Sequence, residues 1–450
     1  MYAETLRTFY DYVQDSAKYN LDLIRGEDPR SFTRYRQISV TDLIYQMLNR
    51  KGGSQWSDIM DFYQNLGKQQ PVTETAFYLA RKKFNPEATR VMSNEFIANF
   101  YDNEADSFKK WNGNLVLAVD GSKITLPDTN ENASIFGRIN SSTNPIKNQS
   151  TPVGGLLSTL HDCLNNTFLD VQFGPCKTSE QTYAAQHIET YCESYLEKAI
   201  FTFDRGYPSM RLIDQLTEKK QFFLFRVSKV FLKSYMDQVP DGEERILEVK
   251  LDRLMTNMHR NDLQFRQHLM NTSYRLRFTK IRIGKEEQGE DSIEYLISNL
   301  PMEEYTIEDL KELYHLRWAI ETSYNRLKNR MKLEDFSGFK AKIIYQDIYA
   351  DIWLYNLISL KIIEMNDNLP LEQKQEGEYG IKRNFNKAVG IMKKMFIKTL
   401  VMMENENIEN SALQVIEENL MNNVVWIKKD RTYSRKRTTT PSAMSYKKSY

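Results

Sequence analysis

Two short apolar runs, LVLAV (115–119) and AIFTF (199–203), each deliver the chain to an aspartate, Asp120 and Asp204. Runs this short and this apolar read as strands buried on both faces, the habit of sheets that helices cover from both sides. They place the chain in the α/β class. A carboxylate among purely apolar neighbours is costly, so the charge falls where each run ends. In strand–helix architectures the loops at such ends are free to carry function. Each aspartate taken alone has an ordinary reading as well. Asp120-Gly121 suits a turn, and Asp204 suits a helix N-cap.

The chain around these runs changes texture several times. Residues 1–108 read as helical, with amphipathic segments VTDLIYQMLNR (40–50) and SDIMDFYQNLG (57–67). A third, TETAFYLARKKF (73–84), is closed by Asn85-Pro86 and ends in Arg81, Lys82 and Lys83. A basic helix after two short ones suits a DNA-reading helix, and equally the charged edge of a helical bundle. GGLLSTLHD (154–162) and NTFLDVQF (166–173) read as strands joined at Asn165-Asn166, followed by a helix from about Ser179 and a strand at QFFLFRVS (221–228). Residues 229–300 alternate apolar and polar, as in LEVKL and YRLRFTKIRI, and read as β-rich. Beyond 332 the chain is mostly helical. Its most apolar stretch, 343–363, contains Asp347, Asp351 and Lys361, which fits a buried helix and not a membrane span.

The stretch YHLRWAIETSYNRLK (314–328) sits on a helix that Thr306 and Asp309 can cap. At about 100° per residue, Tyr314, Arg317, Trp318 and Lys328 all fall within roughly 60° of Glu321. Leu313, Leu316, Ile320 and Leu327 gather on another face, which packs. Tyr314 and Lys328 lie roughly 10 Å on either side of Glu321, at about 1.5 Å per residue. That span suits a metal-binding carboxylate flanked by groups that grip successive phosphates of a strand. Arg317 and Glu321, four apart, also suit a plain surface ion pair. Two strand-end aspartates and a helical glutamate together can hold one or two Mg²⁺ ions for phosphodiester chemistry, because Mg²⁺ takes few protein carboxylates and keeps positions open for substrate oxygens.

Composition narrows the field further. Net charge is +1 over 450 residues, so no basic field covers the whole protein. From Lys428 to Tyr450 there are eight Lys/Arg against one acid, Asp430; this tail reads as a solubilising end or as a phosphate contact. Cys163, Cys176 and Cys192 form no C-x-x-C pair and have no histidine at ligand spacing, which argues against a structural zinc site and a disulfide framework and fits a reducing cytoplasm. Charges interrupt the N-terminus early, unlike a signal peptide.

Tyr314, Arg317, Glu321 and Lys328 together resemble the Tyr-Arg-Glu-Lys signature of bacterial insertion-sequence transposases, in the insertion-sequence-4-like branch of the DDE group. VDGSK (119–123) and DRGY (204–207) resemble the first and second aspartate motifs of that family, in its order. The resemblance spans about residues 35–365. It implies an RNase-H-like core, a mixed sheet with flanking helices, interrupted by a β-rich insertion. On it, residues 1–108 form a helical DNA-end-binding domain, 109–228 and 301–365 the two parts of the core, 229–300 the insertion, 366–427 a helical region suited to dimerisation, and 428–450 a basic tail. It implies that Asp120, Asp204 and Glu321 hold catalytic Mg²⁺, for which Mn²⁺ substitutes, and that Tyr314, Arg317 and Lys328 contact DNA phosphates. The partners implied are the double-stranded terminal repeats of the element, a target DNA and a second copy of the chain, in a bacterial cytoplasm at the nucleoid. The reaction implied is cleavage at the element's ends and transfer of the 3′-OH into target DNA, in several members through a hairpin. In such members a Trp of the insertion stacks on a flipped base; here no Trp lies between Trp111 and Trp318, which leaves Trp318, or a Phe or Tyr of the insertion, for that role. Arg226 is a weaker candidate for DNA contact, and Arg205 suits either a carboxylate or a phosphate. The competing readings are a nuclease or resolvase of the same core without strand transfer, and a DNA-binding protein that no longer cleaves.

Overall fold

The computed structural model describes residues 4–34, 36–50, 53–67, 72–139, 151–283, 292–367, 381–403 and 415–426. The basic tail expected over 428–450 lies outside the described residues.

The N-terminal part is helical: α1 (Glu4–Tyr19), α2 (Leu21–Ile24), α3 (Val40–Leu48), α4 (Gln55–Asn65), α5 (Glu74–Lys83) and α6 (Pro86–Asn103). Local chemistry sets their limits. Ser39 and Asp42 form a capping box on α3, Thr73 caps α5, and Pro86 opens α6. The core follows as β1 (Leu115–Thr125), α7 (Asn130–Phe136), β2 (Gly154–Asp162), β3 (Thr167–Pro175), α8 (Glu180–Ser194), β4 (Ala199–Phe203), α9 (Met210–Glu218) and β5 (Phe222–Val227). Next come α10 (Lys233–Met236), β6 (Glu244–Lys250), α11 (Leu263–Asn271), β7 (Ser273–Ile283) and β8 (Ser292–Ser298). The chain then runs through α12 (Ile307–Leu316), α13 (Trp318–Asn329), α14 (Ala341–Asp367), β9 (Ile381–Arg383), α15 (Phe385–Met403) and β10 (Val424–Trp426).

Among the described residues, β1–β8 form one sheet in the order β3-β2-β1-β4-β5-β8-β7-β6. β1, β4 and β5 run parallel, while β2 is antiparallel to β1 and to β3. This is the mixed RNase-H-like arrangement, with the apolar runs of β1 and β4 buried at its centre. The β-rich insertion is not a separate body. β8 pairs antiparallel with β5, so β6–β8 continue the core sheet and cover an edge that β5 would otherwise expose.

Successive strand residues point to opposite faces, and two neighbours in β2 identify the layers. Ser158 hydrogen-bonds His187 of α8, and Thr159 hydrogen-bonds Tyr324 of α13. Helices α8 and α13 therefore cover opposite faces. Helix α14 is the hub for the N-terminal helices. Its Asp347 and Asp351, wholly buried, are met by Arg50 from the α3–α4 connection and Arg81 from α5. Lys361 of the same helix pairs with Glu364 and Glu417. The three charges that spoil a membrane reading are thus neutralised inside the protein. No helix among the described residues is long and apolar enough to cross a membrane.

Candidate active site

Strand register brings the two aspartates together. In the parallel pair, Ala118 of β1 lies opposite Thr202 of β4. Two residues further on each strand stand Asp120 and Asp204, side by side at the centre of the sheet. The two strands then behave differently. β4 stops at Phe203, and Asp204 closes a turn in which its Oδ1 accepts the Gly206 N–H at 2.8 Å. β1 does not stop. Asp120 pairs across to Thr159 and the strand runs on to Thr125, because antiparallel pairing with β2 persists after the parallel partner has ended. Asp120 therefore lies inside a strand, and Asp120-Gly121 is not the turn its composition suggests.

The third carboxylate arrives on α13. That helix is fastened to β1 at two backbone carbonyls: the Tyr324 hydroxyl donates to Asp120 O at 2.7 Å, and Lys328 Nζ donates to Lys123 O at 2.8 Å. Tyr324 also shares a 2.9 Å hydrogen bond with Thr159 Oγ1. The expected single helix through 306–328 is broken in the structure. Thr306 and Asp309 do form the capping box of α12, but at Arg317 the N–H bonds back three residues to Tyr314 O, and α13 begins anew at Trp318. Such a tightened turn interrupts the regular ladder. Leu313, Ile320 and Leu327 pack as expected, whereas Tyr314 and Arg317 of the polar stripe are buried too.

Arg317 ties the constellation together. Its Nη2 donates to Glu321 Oε1 at 3.1 Å. Its guanidinium lies over the Tyr314 ring, 5.6 Å from the centroid, and Arg226, ion-paired with Glu294, lies at 5.6 Å from the same centroid. Burial works against the charge of Arg317, but Tyr314, Asp120, Glu321 and Asp204 outweigh it and hold the group above its ordinary value. Asp120 is displaced the other way, raised to about 7. Burial is the largest cause, Arg317 opposes it, and Asp204 and Glu180 add to it. Glu180, the first residue of α8, is also raised, by burial and then by Asp204, with Lys123 opposing. The carboxylates outnumber the cations among them, which is the electrostatic setting of a site built for an external cation.

The other predicted residues separate cleanly. Arg81, expected on a DNA-facing edge, is 1% exposed and spent on Asp347, Gln346 and Ser337; its charge docks α5 on α14 and cannot reach a nucleic acid. Lys82 and Lys83 beside it are exposed. Trp318 is 47% exposed at the start of α13, and Arg205 is exposed beside Asp204. Sequence reasoning missed Glu180 and Tyr324. An acid in the first turn of a helix is ordinary, and a tyrosine three residues after Glu321 carries no motif.

Two other groups carry functional-looking chemistry. Ser158, His187 and Asp170 form a hydroxyl–imidazole–carboxylate chain at 3.0 and 2.7 Å. All three are sealed in the core, where Arg90 and Asn94 complete Asp170, so the chain joins β2, β3, α8 and α6. Asp214, Glu218 and His268 bring their ligand atoms within 4.8 Å of one another and join α9 to α11, with the Tyr274 hydroxyl on Asp214 at 2.6 Å. Asp120, Asp204 and Glu321 are not gathered so closely. Like charges repel at short range, and Arg317 is the cation in their midst.

A family profile described as "Transposase DDE domain" matches residues 111–357, more than half of the chain and the whole span that carries Asp120, Asp204 and Glu321. The chain belongs to the DDE-domain transposases. Among its relatives, the transposase InsG of insertion sequence element IS4 from Escherichia coli (strain K12) is 24% identical over 339 residues, covering 74% of this chain and 69% of InsG. The transposase of insertion sequence element IS231E from Bacillus thuringiensis subsp. finitimus is 20% identical over 270 residues, 52% of this chain and 54% of the relative. The transposase thus spans about half the length of its IS231 relatives. A solved structure titled as a piggyBac transposase synaptic complex with hairpin DNA aligns with a TM-score of 0.44 at 11% identity, over 98% of this chain and 88% of that one, a likeness too loose to add to the case.

Proposed function

We propose that this transposase binds divalent metal through Asp120, Asp204 and Glu321, cleaves DNA at the ends of its insertion sequence and joins the freed 3′-OH to target DNA. The observation that carries the reading is the register of β1 and β4. It sets two aspartates side by side, where burial first and then Asp204 and Glu180 raise Asp120 to about 7 against the pull of Arg317. The donors are all carboxylate oxygens, which suit a hard ion such as Mg²⁺, with Mn²⁺ as its substitute. When bound, one or two such ions activate the attacking oxygen and stabilise the leaving one. The chain's own residues supply the rest. Tyr324 holds the backbone of Asp120, Arg317 holds Glu321 and presents a guanidinium to a phosphate, and Tyr314 stacks beside it. Lys328 needs only to leave the Lys123 carbonyl to meet the strand. Exposed Lys82 and Lys83 add sequence-independent phosphate contact.

Trp318, exposed one residue after Arg317, is placed to stack on a base displaced near the cleaved end. An abasic position there eases cleavage if the base leaves the helix; equal rates on both substrates remove Trp318 from that role. The double-stranded ends are bridged by two copies of the chain.

The test uses purified protein with labelled DNA carrying the element's own end, in Mg²⁺ or Mn²⁺, beside Glu321→Gln. Wild type nicks at the element boundary, and the variant loses at least about 10³-fold in rate. Tight binding by both proteins with no cleavage by either overturns the metal-site reading.

A further inference from the structure

The glycine in each aspartate motif has an unassigned job. Gly121 follows Asp120, and Gly206 stands two residues after Asp204. Neither has the positive φ that demands glycine. Both face the same side chain. A Cβ on Gly121 would meet Glu180 Oε1 at 2.9 Å, which real contacts do not show, and a Cβ on Gly206 would meet Glu180 Oε2 at 3.9 Å and Asp204 Oδ1 at 3.2 Å. The Glu180 carboxylate is therefore lodged between the two aspartate motifs, one oxygen toward each. A first-turn acid that served only its helix dipole would gain nothing from being turned into the sheet's active edge.

A second feature points to a missing occupant. Tyr207 is 0% exposed and its hydroxyl has no hydrogen-bond partner among the described residues. Its surroundings are set by Asp120, Glu180, Tyr324 and Asp204. A buried hydroxyl left unmade costs about 1–3 kcal/mol, so the site is incomplete as it stands. A hydrated ion held by these carboxylates supplies the acceptor, in the water that such ions retain.

We propose that Glu180 is a fourth carboxylate of the divalent-metal site, admitted by the clearance at Gly121 and Gly206, with the Tyr207 hydroxyl facing the ion's water. This rests on the reading of Asp120 and Asp204 as metal ligands. It explains why a glycine stands one residue after Asp120 and two after Asp204.

The experiment is Mn²⁺ binding to the full-length protein without DNA, by calorimetry and by loss of the free-ion electron paramagnetic resonance signal. It compares wild type, Asp120→Asn, Glu180→Gln, Gly121→Ala and the Gly121→Ala/Glu180→Gln double variant. Glu180→Gln should weaken Mn²⁺ affinity about tenfold or more. Its metal-free melting temperature should not fall, because a like charge beside Asp204 is removed. Gly121→Ala, by crowding the carboxylate, should weaken binding on its own and add nothing in the Glu180→Gln background. Wild-type affinity in Glu180→Gln, with binding lost in Asp120→Asn, overturns the role of Glu180 and leaves the aspartate site standing. Additive losses in the double variant overturn the clearance argument. Absence of Mn²⁺ binding by wild type overturns both readings together.

Discussion

Two groups of inward-facing aspartates, one on α14 and one at the candidate active site, are compensated differently. On α14, Asp347 and Asp351 meet Arg50 and Arg81, two buried carboxylates against two buried guanidinium groups. At the candidate active site, Asp120, Asp204 and Glu321 share one buried guanidinium, that of Arg317, and Glu180 has only the exposed Lys123. The consequence is visible in proton affinity. Burial alone would raise Asp347, but Arg50 and Arg81 together hold it below the usual carboxylate range; Asp351, ion-paired with Arg50, stays raised by burial, and Asp120 is pushed up to about 7. Carboxylates that only hold the fold together are satisfied from within the chain, Asp347 by two guanidinium groups and Asp162 by hydrogen bonds from Tyr101, Asn165 and the backbone. Carboxylates in excess over the nearby cations are what the proposed metal-binding role of Asp120, Asp204 and Glu321 requires.

The sharpest way to break this comparison is to neutralise one member of each set. Asp204→Asn should abolish DNA cleavage, by at least about 10³-fold, while leaving the metal-free melting temperature unchanged or higher, since it relieves repulsion with Asp120. Arg81→Ala should do the reverse. It leaves Asp347 with Arg50, at 3.4 Å, as its remaining cation and should cost up to about 3 kcal/mol of stability, read by denaturant unfolding. Cleavage per folded molecule should persist. A stable Arg81→Ala protein with weakened DNA binding would reinstate Arg81 as a DNA contact and erase the contrast.

The pH dependence of the metal-free protein gives a smaller effect, with opposite signs at Asp120 and Asp347. In the unfolded chain an aspartate titrates near about 3.9. Asp120, raised to about 7, binds its proton more tightly when folded. Its contribution to stability is therefore present at low pH and is lost as pH rises from about 4 through about 7. Asp347 is lowered, so its contribution is present above about 4 and is lost as pH falls through its depressed value. Melting temperatures in EDTA should decline between pH 5 and 7.5 in wild type and less steeply in Asp120→Asn, where Asp162, raised to about 6, still contributes. An unchanged slope in the variant would show that another group carries it.

How far the sequence foretold this site depends on whether local chemistry or distant pairing decided each residue. The runs before Asp120 and Asp204 are legible because a strand buried on both faces has only apolar residues to offer, and the capping box at Thr306 is legible because its partners are three residues apart. What failed was set by tertiary partners. Asp120-Gly121 has turn composition, and only the continued ladder with β2 keeps it extended. Arg81, Lys82 and Lys83 look alike in sequence, and only Asp347, far along the chain, singles out the buried one. Helix α13 was expected to run on from α12, but the chain tightens at Arg317, a residue drawn in by carboxylates from three elements. Glu180 was invisible because a first-turn acid is normal in any helix.

Tyr324 offers the finest probe of the comparison, because it bears on position and not on charge. Its hydroxyl donates to the carbonyl of Asp120 at 2.7 Å and joins Thr159, so it binds the helix of Glu321 to the strand of Asp120. Tyr324→Phe keeps the ring in its buried slot and removes only the hydroxyl. The loss in stability should be modest, about 1 kcal/mol. The loss in cleavage should be larger than that figure implies, because a carboxylate displaced by even about 1 Å costs on the order of 10²-fold when reacting groups must be held in place. A purely structural tyrosine would show the stability change alone, with cleavage per folded molecule and Mn²⁺ affinity untouched. A cleavage defect that higher Mn²⁺ concentration partly repairs would instead locate the effect in the spacing between Asp120 and Glu321.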